Sequence, residues 1–292
     1  MPSTRDIRRR IKSVKNTAQI TKAMQMVAAS KMRRAQQIAL GGRPYAELMN
    51  QMLAEVTANT GEFSHPLTEK RESGKTVLVV ISTDKGLCGA LNTNLLREAA
   101  KANVDETHFV AVGRKASQFI ARTKRELSAE FTYHDVPEFA DARAISKYLQ
   151  ELFLEGEVKQ VDVLFTNFVS TLTQHAERRT FLPVGEITGI EAGIEGESSA
   201  AALEQGTLEF QFEPDPAEVL GNLLPHYLNY QVYQLLLESK ASEHSARMVA
   251  MKSATDNAKS MIKDLTLEYN KLRQASITAE LLEITSAAMA VG

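Results

Sequence analysis

The chain has 292 residues, of which 43% are hydrophobic and 24% charged, and its formal net charge at pH 7 is −2. This length is enough for one large core or two smaller ones, and the composition is that of an ordinary soluble protein. A single cysteine excludes an internal disulfide framework and a zinc site built from several cysteines.

The first 40 residues are strongly basic. They carry ten Lys or Arg against one Asp, a charge of +9, so the other 252 residues sum to −11. Such a basic arm on an acidic body suggests nucleic acid, an anionic surface or an acidic partner protein, and a solvated helix face is the alternative. The arm lacks the apolar core of a signal peptide, so we expect the chain to stay in the cytoplasm. No apolar run reaches about 18 residues, which predicts no membrane span.

One long helix is predicted over residues 4–58, within an N-terminal coiled-coil segment 1–58. The helix contains neither proline nor glycine before Gly41, and good helix formers dominate it. Gly41, Gly42 and Pro44 predict a kink or break, after which the apolar pattern resumes. The apolar positions before the break recur at intervals of four, three and four residues and share one face: Ile7, Ile11, Val14 and Ala18.

Residues 75–212 change to short strands that alternate with helices, which predicts an α/β domain containing parallel strands. The predicted strands are "TVLVVIS" (76–82), "THFVAVG" (107–113) and "VDVLFTNF" (161–168). The predicted helices between them are "ALNTNLLREAAKA" (90–102) and "DARAISKYLQELFLEG" (141–156).

Two further stretches complete the central domain. "FVSTLTQHAERRTFLPV" (168–184) predicts a strand pair or hairpin at one edge of the sheet. The glycine-rich, acidic stretch 186–207 predicts a mobile loop.

The C-terminal segment 213–292 predicts a second long helix. Pro214 and Pro216 suit a helix start, and a helix over residues 226–290 would be about 100 Å long. Small or apolar residues recur at intervals of three and four, first at Met251, Thr255, Ala258, Ile262, Leu265, Tyr269 and Leu272, then at Ile277, Leu281, Ile284 and Ala288. This heptad predicts a coiled coil.

The predicted fold is therefore an α/β central domain with a long antiparallel coiled coil formed by the N- and C-terminal helices, which bury both stripes against each other. The seam is rich in Ala, Met, Thr and Ser, so it buries little apolar area per residue. We expect this coiled coil to need a surrounding partner.

The stretch "STDKGLCGALNTN" (82–94) is the strongest candidate for a chemical site. Placed between a strand and a helix, it could present backbone N–H groups to an anion, although only Gly86 and Gly89 are present and no phosphate-binding motif is matched. Cys88 as a nucleophile would need a nearby base. The third interpretation is a structural turn with Cys88 packed beneath it. Glu280 and Glu283, three residues apart, are interpreted as contact or solvated residues.

Three stretches form a specific combination in chain order. They are "IRRRIKSVKNTAQITKAMQMVAASKMRRAQ" near the start, "STDKGLCGALN" in the middle, and "SEHSARMVAMKSATDNAKSMI" with "YNKLRQASITAELLEI" at the end. In this combination the chain resembles the gamma subunit of bacterial F-type ATP synthases. Residues 103–210 carry little of the pattern, so their resemblance rests on position.

The resemblance implies a central rotor shaft that couples proton-driven rotation of the membrane c ring to ATP synthesis, or to the reverse hydrolysis. The implied partners are the alpha and beta subunits of the catalytic hexamer, the epsilon subunit and the c-subunit ring. It implies no cofactor, no metal, no catalytic residue and no nucleic acid. The implied location is the cytoplasmic face of the bacterial cell membrane, as a peripheral protein held through the complex.

The resemblance also implies which residues make the coupling contacts, with the basic residues facing acidic segments of the beta subunits. These residues are Arg8, Arg9, Lys12, Met24, Lys31, Arg33, Asp84, Lys85, Gly86, Cys88, Arg247, Arg273, Gln274, Thr278, Glu280 and Glu283. His244, three residues before Arg247 in "SEHSARM", is interpreted as a surface histidine.

The alternative function is a stand-alone nucleotide- or nucleic-acid-binding module that uses the basic arm. Nucleic-acid binding favours aromatic side chains among the basic ones, because bases stack on them. Residues 1–40 contain no aromatic residue, which disfavours this alternative.

Overall fold

The computed structural model describes residues 3–59, 65–184 and 215–291. The predicted loop 186–207 lies outside these ranges. The helices are α1 (Thr4–Gly41), α2 (Arg43–Asn59), α3 (Leu91–Ala100), α4 (Arg114–Arg122), α5 (Phe139–Leu154) and α6 (Pro216–Val291). The strands are β1 (Lys75–Ile81), β2 (Thr107–Val112), β3 (Leu127–Phe131), β4 (Val158–Phe168) and β5 (Gln174–Leu182).

The chain divides into two compact units. One contains residues 1–28 and 248–292, and the other contains residues 29–247. The helices α1 and α6 each contribute residues to both units. Among the residues described, we find no helix whose length and hydrophobicity would let it span a bilayer.

A five-stranded sheet in the order β3-β2-β1-β4-β5 organises the larger unit. The first four strands are parallel, and β5 pairs antiparallel with β4 at one edge. The parallel strands and the edge hairpin confirm the α/β prediction. The sequence interpretation missed α4 and β3, because α4 is short and β3 is an edge strand with largely exposed side chains.

Both faces of the sheet are buried, which explains why β1 reads as a continuous apolar run. Val77, Val79 and Ile81 face a core shared with α2, α5 and the first part of α6. Leu78 and Val80 face a second core shared with α3 and α4. The unit is therefore a three-layer α/β/α arrangement.

The predicted break in the N-terminal helix lies at Gly42, between α1 and α2. The Tyr230 hydroxyl donates a hydrogen bond of 2.8 Å to the Gly42 carbonyl. A Cβ atom at residue 42 would lie 2.5 Å from that hydroxyl oxygen, so a side chain here would have to displace Tyr230. The close approach of Tyr230 explains the glycine.

The smaller unit is an antiparallel helix pair, as predicted. The Thr21 and Thr255 hydroxyls lie 2.8 Å apart in a buried hydrogen bond, and the Arg8 guanidinium donates to the Tyr269 hydroxyl. Moving from residue 21 to residue 8 thus corresponds to moving forward along α6, which fixes the antiparallel direction. The side chains buried in the seam include Ile7, Ala28, Met251, Thr255 and Ala258.

The second seam of α6 departs from the prediction. Its side chains are exposed, with fractions of 49% at Ile277, 58% at Leu281 and 65% at Ile284, so the expectation that the helix pair buries both stripes was wrong here. Arg8, which lies one turn after the start of α1 at Thr4, contacts Tyr269 of α6. The paired part of α6 therefore ends shortly after Tyr269. No described residue of α1 extends opposite residues 277–289.

Candidate functional site

Parallel sheets that are wound in both directions commonly bind ligands at the carboxyl ends of the strands, where the winding direction changes. In this sheet that position lies between β1, whose chain continues to β2, and β4 on its other side. Part of α6 fills it. The Ser242 hydroxyl donates to the Thr166 carbonyl of β4 at 3.0 Å, and Arg247 donates to the Gly86 carbonyl after β1 at 3.2 Å.

The loop that follows β1 is held by hydrogen bonds within itself and to the start of α4. The Asp84 carboxylate accepts a hydrogen bond of 2.9 Å from the Arg114 backbone N–H. The Thr83 hydroxyl donates to the Lys85 carbonyl at 2.7 Å. Leu87 has a left-handed φ of 63° and a side chain that is 61% exposed.

Cys88 lies beneath this loop with only 3% of its surface exposed. Its sulfur accepts a hydrogen bond of 3.3 Å from the Asn92 side-chain amide. Burial raises the pKa of the thiol, which disfavours the thiolate that a cysteine nucleophile requires. The interpretation of 82–94 as a strand-to-helix turn with a packed cysteine is confirmed.

The sequence "ESKASEHS" (238–245), called here the buried polar segment, is the unexpected part of α6. By composition it resembles a solvent-facing stretch, yet each of its side chains is at most 6% exposed. A helix buried all round is usually apolar. Polar groups in such a position need internal partners, since an unpaired buried polar group is costly.

A three-residue ion network supplies part of this pairing. Lys240 Nζ donates to Glu243 Oε2 at 3.0 Å, and Arg247 Nη2 donates to Glu243 Oε1 at 2.7 Å. Lys240 Nζ also lies 4.6 Å from the centre of the Tyr133 ring. Burial opposes ionisation of Glu243, but Lys240 and Arg247 outweigh it and hold the pKa of the carboxyl below its ordinary value.

His244 is not the surface histidine that was expected. It is only 2% exposed, and burial lowers its pKa to about 4. The ring atom Nδ1 lies 3.4 Å from Arg247 Nη1, a donor that suits a neutral imidazole accepting through Nδ1. The polar neighbours of His244 suggested exposure because sequence alone does not show that α6 is surrounded.

On the other face of the buried polar segment, two serine hydroxyls form hydrogen bonds to backbone carbonyls. The Ser242 hydroxyl donates to the Thr166 carbonyl, and the Ser245 hydroxyl donates at 2.8 Å to the Thr171 carbonyl in the β4–β5 hairpin. Both serines are fully buried.

The structure brings some of the predicted contact residues together and leaves others dispersed. Asp84, Lys85, Gly86 and Cys88 share one loop, and Arg247 binds two of its carbonyls. Lys31 forms an ion pair with Asp135 after β3, and Arg33 is exposed. In the other unit Met24 is half-buried, and the rest are exposed: Arg8, Arg9, Lys12, Arg273, Gln274, Thr278, Glu280 and Glu283. Their contact roles stay predictions.

Sequence reasoning missed the residues that fill the crevice, among them Lys240, Glu243, Ser242 and Ser245. One signal was available: Lys240, Glu243 and Arg247 are spaced three and four residues apart, which places opposite charges on one helix face. That spacing is also typical of a solvated face, so it does not by itself indicate burial.

Comparison with known sequences gives a consistent result along the whole chain. The sequence model of the family described as "ATP synthase" matches residues 3–291. The ATP synthase gamma chain of Opitutus terrae is 49% identical over 292 residues, covering 99% of this chain and 99% of that protein. The ATP synthase gamma chain of Methylacidiphilum infernorum is 46% identical over 297 residues and covers both chains completely.

Solved structures agree with the fold. A chain from the central stalk and c-ring of the Tetrahymena thermophila mitochondrial ATP synthase is 26% identical, with a TM-score of 0.60 over 80% of this chain and 99% of that chain. A chain from the Euglena gracilis mitochondrial ATP synthase has a TM-score of 0.65 over 99% of this chain and 94% of that chain. At 20% identity, the second likeness concerns the fold alone. The nucleic-acid alternative receives no support from these comparisons.

Proposed function

The chain belongs to the family of ATP synthase gamma chains, and on this premise we propose that it is the central rotor shaft of an F-type ATP synthase. In this role it couples proton-driven rotation of a membrane c ring to ATP synthesis, or reverse hydrolysis, on a hexamer of alpha and beta subunits. Its partners are these subunits, the epsilon subunit and the c ring. It sits at the cytoplasmic face of the bacterial membrane as a peripheral component.

The observation that carries this proposal is helix α6. It is a single helix of 76 residues, roughly 110 Å long at the usual rise per residue. Its far end exposes Ile277, Leu281, Leu282, Ile284 and Met289. Exposed apolar side chains in such number mark an interaction surface, as expected of a shaft whose tip turns inside other subunits.

The basic side chains of α1 suit acidic partners. Arg9, Lys12 and Arg33 are exposed, and the first 40 residues carry the charge of +9 noted above. Each exposed ion pair contributes only about 0–1 kcal/mol. The combined electric field of these side chains therefore orients the chain toward acidic beta-subunit segments and speeds assembly. It adds less to the affinity of the complex.

We assign no catalytic step to this chain. The features that support this are the buried thiol of Cys88, the use of Arg247 to bind backbone carbonyls, and the filling of the sheet's crevice by α6. Nucleotide chemistry belongs to the hexamer in this proposal, and the chain contributes mechanical coupling.

The test is affinity purification of the tagged chain from its native membranes, with mass spectrometry of the co-eluting proteins and an ATPase assay. The untagged strain is the control. We expect alpha and beta subunits to co-elute with ATPase activity. Elution of the chain alone, or with nucleic acid, would contradict the rotor proposal.

A further inference from the structure

We propose that the buried polar segment, together with Arg247, is the joint that locks α6 against the sheet, so that torque passes between the α/β/α unit and the helix without slipping. This inference rests on the proposed rotor function and names the positioning residues that the function requires. None of them is assigned a catalytic role.

The hydrogen bonds and ion pairs that hold this stretch of α6, called here its ties, lie on two faces of the helix. At about 100° per residue, Lys240, Glu243 and Arg247 lie within roughly 60° of one another on one face. By the same count Ser242 and Ser245 lie on the roughly opposite face. A helix held on one face alone can roll about that contact. Ties on opposite faces prevent rolling.

The ties reach several separate strand ends of the sheet. On one face, Arg247 binds the Lys85 and Gly86 carbonyls after β1, and Lys240 lies against Tyr133 after β3. On the other face, the serines bind the carbonyls of Thr166 in β4 and Thr171 in the hairpin. Contacts at the carboxyl ends of β1, β3 and β4, and in the β4–β5 hairpin, therefore hold one stretch of helix.

The ties are directional polar interactions. Apolar packing is non-directional, so a helix in an apolar groove can shift with small side-chain adjustments. Hydrogen bonds to backbone carbonyls have a preferred length and angle, and they define one rotation and one axial position. Buried ion pairs add little net stability compared with apolar residues of similar size, whereas fixing register is their best-attested use.

The experiment removes the serine ties in the assembled enzyme with the double variant Ser242→Ala and Ser245→Ala. The matched control is Ser146→Ala, because Ser146 is also fully buried but its hydroxyl only accepts a bond from Gln150 within α5. Two readouts are compared in membrane vesicles: ATP hydrolysis, and ATP-driven proton pumping against a gradient. Hydrogen exchange of residues 238–245 is measured in the same preparations.

We expect exchange in residues 238–245 to accelerate roughly two- to tenfold for each lost hydrogen bond. Hydrolysis should stay close to wild type, while pumping per ATP hydrolysed falls by roughly twofold or more, because the load acts against the weakened ties. The control should change neither the exchange of this segment nor the pumping ratio. If the double variant does not assemble, the single variant Ser245→Ala carries the same test.

Two outcomes would overturn the joint. One is faster exchange with an unchanged pumping ratio, which would show that the ties hold the segment but carry no torque. The other is unchanged exchange, which would show that the serines do not hold the helix. Failure of the rotor proposal itself looks different: the wild-type chain would then not co-purify with alpha and beta subunits, and its removal would leave pumping intact.

Discussion

Two stretches of the same helix reverse the usual relation between residue type and burial. Residues 238–245 are mostly polar or charged, and they are buried. Residues 277–289 include Ile277, Leu281 and Ile284, and they are exposed. The first stretch is enclosed by the chain's own strand ends and by α1, whose Ala35 and Ala39 share a cluster with Ala241, whereas nothing in the described chain covers the second. Burial along this helix follows from what surrounds each stretch.

The two stretches therefore have different roles. Within the buried polar segment, partners inside the chain are in place for Lys240, Ser242, Glu243, His244 and Ser245, so these contacts stabilise the isolated subunit. The apolar end lacks them, so its burial awaits a partner. Changes at Glu243 and His244 should act on the first stretch and spare the second, and removal of residues 277–292 should do the reverse.

The largest effect is expected from Glu243→Ala. This change leaves the buried Lys240 and the partly buried Arg247 without their shared carboxylate, and breaking a buried pair in this way costs about 3–5 kcal/mol. Urea unfolding of the isolated full chain, followed by circular dichroism, measures the loss. Glu283→Ala on the exposed end is the control and should stay within about 0.5 kcal/mol. Equal losses in the two variants would remove the distinction between the stretches.

Acidification should weaken the buried polar segment through His244. The unfolded histidine binds a proton near its ordinary pKa of 6.5, whereas the folded one resists protonation until about pH 4. The unfolded state therefore binds more protons between these values, and stability falls as the pH is lowered through this window, by up to about 3 kcal/mol. The lowered pKa of Glu243 acts in the same direction at still lower pH.

Unfolding measured at pH 7.5, 6, 5 and 4 tests this expectation. His244→Gln removes the titrating group and should flatten the pH dependence between 6.5 and 4. A variant that is as acid-sensitive as wild type would show that His244 does not contribute.

A smaller effect is expected at the seam of the helix pair, from Thr21→Val. The change removes one buried hydroxyl from the bond to Thr255, whose own hydroxyl still donates to the Met251 carbonyl. We expect a loss of about 1 kcal/mol in unfolding experiments. Thr17→Val is the matched control, because the exposed Thr17 hydroxyl bonds only to Ser13 in its own helix. A loss as large at residue 17 would argue that helix propensity, not the seam, is responsible.

The smallest effect on stability is expected from removing residues 277–292. Residues 277–289 are exposed and belong to the other compact unit, so unfolding of the α/β/α unit should change by less than about 0.5 kcal/mol. Coupling and assembly with the hexamer should nevertheless weaken, because the apolar end is lost. Proteolysis and circular dichroism check the first expectation, and the pumping ratio of the complex checks the second. Unfolding of the α/β/α unit in the truncated chain would contradict the expectation that this unit is stable without residues 277–292.

Much of the fold could be predicted because its signals are local. Short runs rich in β-branched residues, separated by helical stretches, indicated β1, β2 and β4. A heptad indicated the paired part of α6. The break at Gly42 followed from its glycines and proline. These features depend on residues close together in the sequence.

The rest depends on distant partners. Enclosure of His244 requires knowing that β4, the loop after β1 and α1 all pack against this part of α6, which no local pattern states. Exposure of Ile277 requires knowing where α1 begins relative to α6, although the heptad itself continues. The contact roles of residues such as Arg273 and Glu283 depend on other subunits, and they remain predictions for this chain.

The most direct test of the account is hydrogen exchange of the isolated chain compared with the assembled complex. We expect residues 238–245 to be protected in both, since their partners lie within the chain. Residues 277–289 should exchange rapidly in the isolated chain and become protected only in the complex, where the hexamer encloses them. An end that is already protected in the isolated chain, or one that stays unprotected in the complex, would contradict the rotor-shaft account.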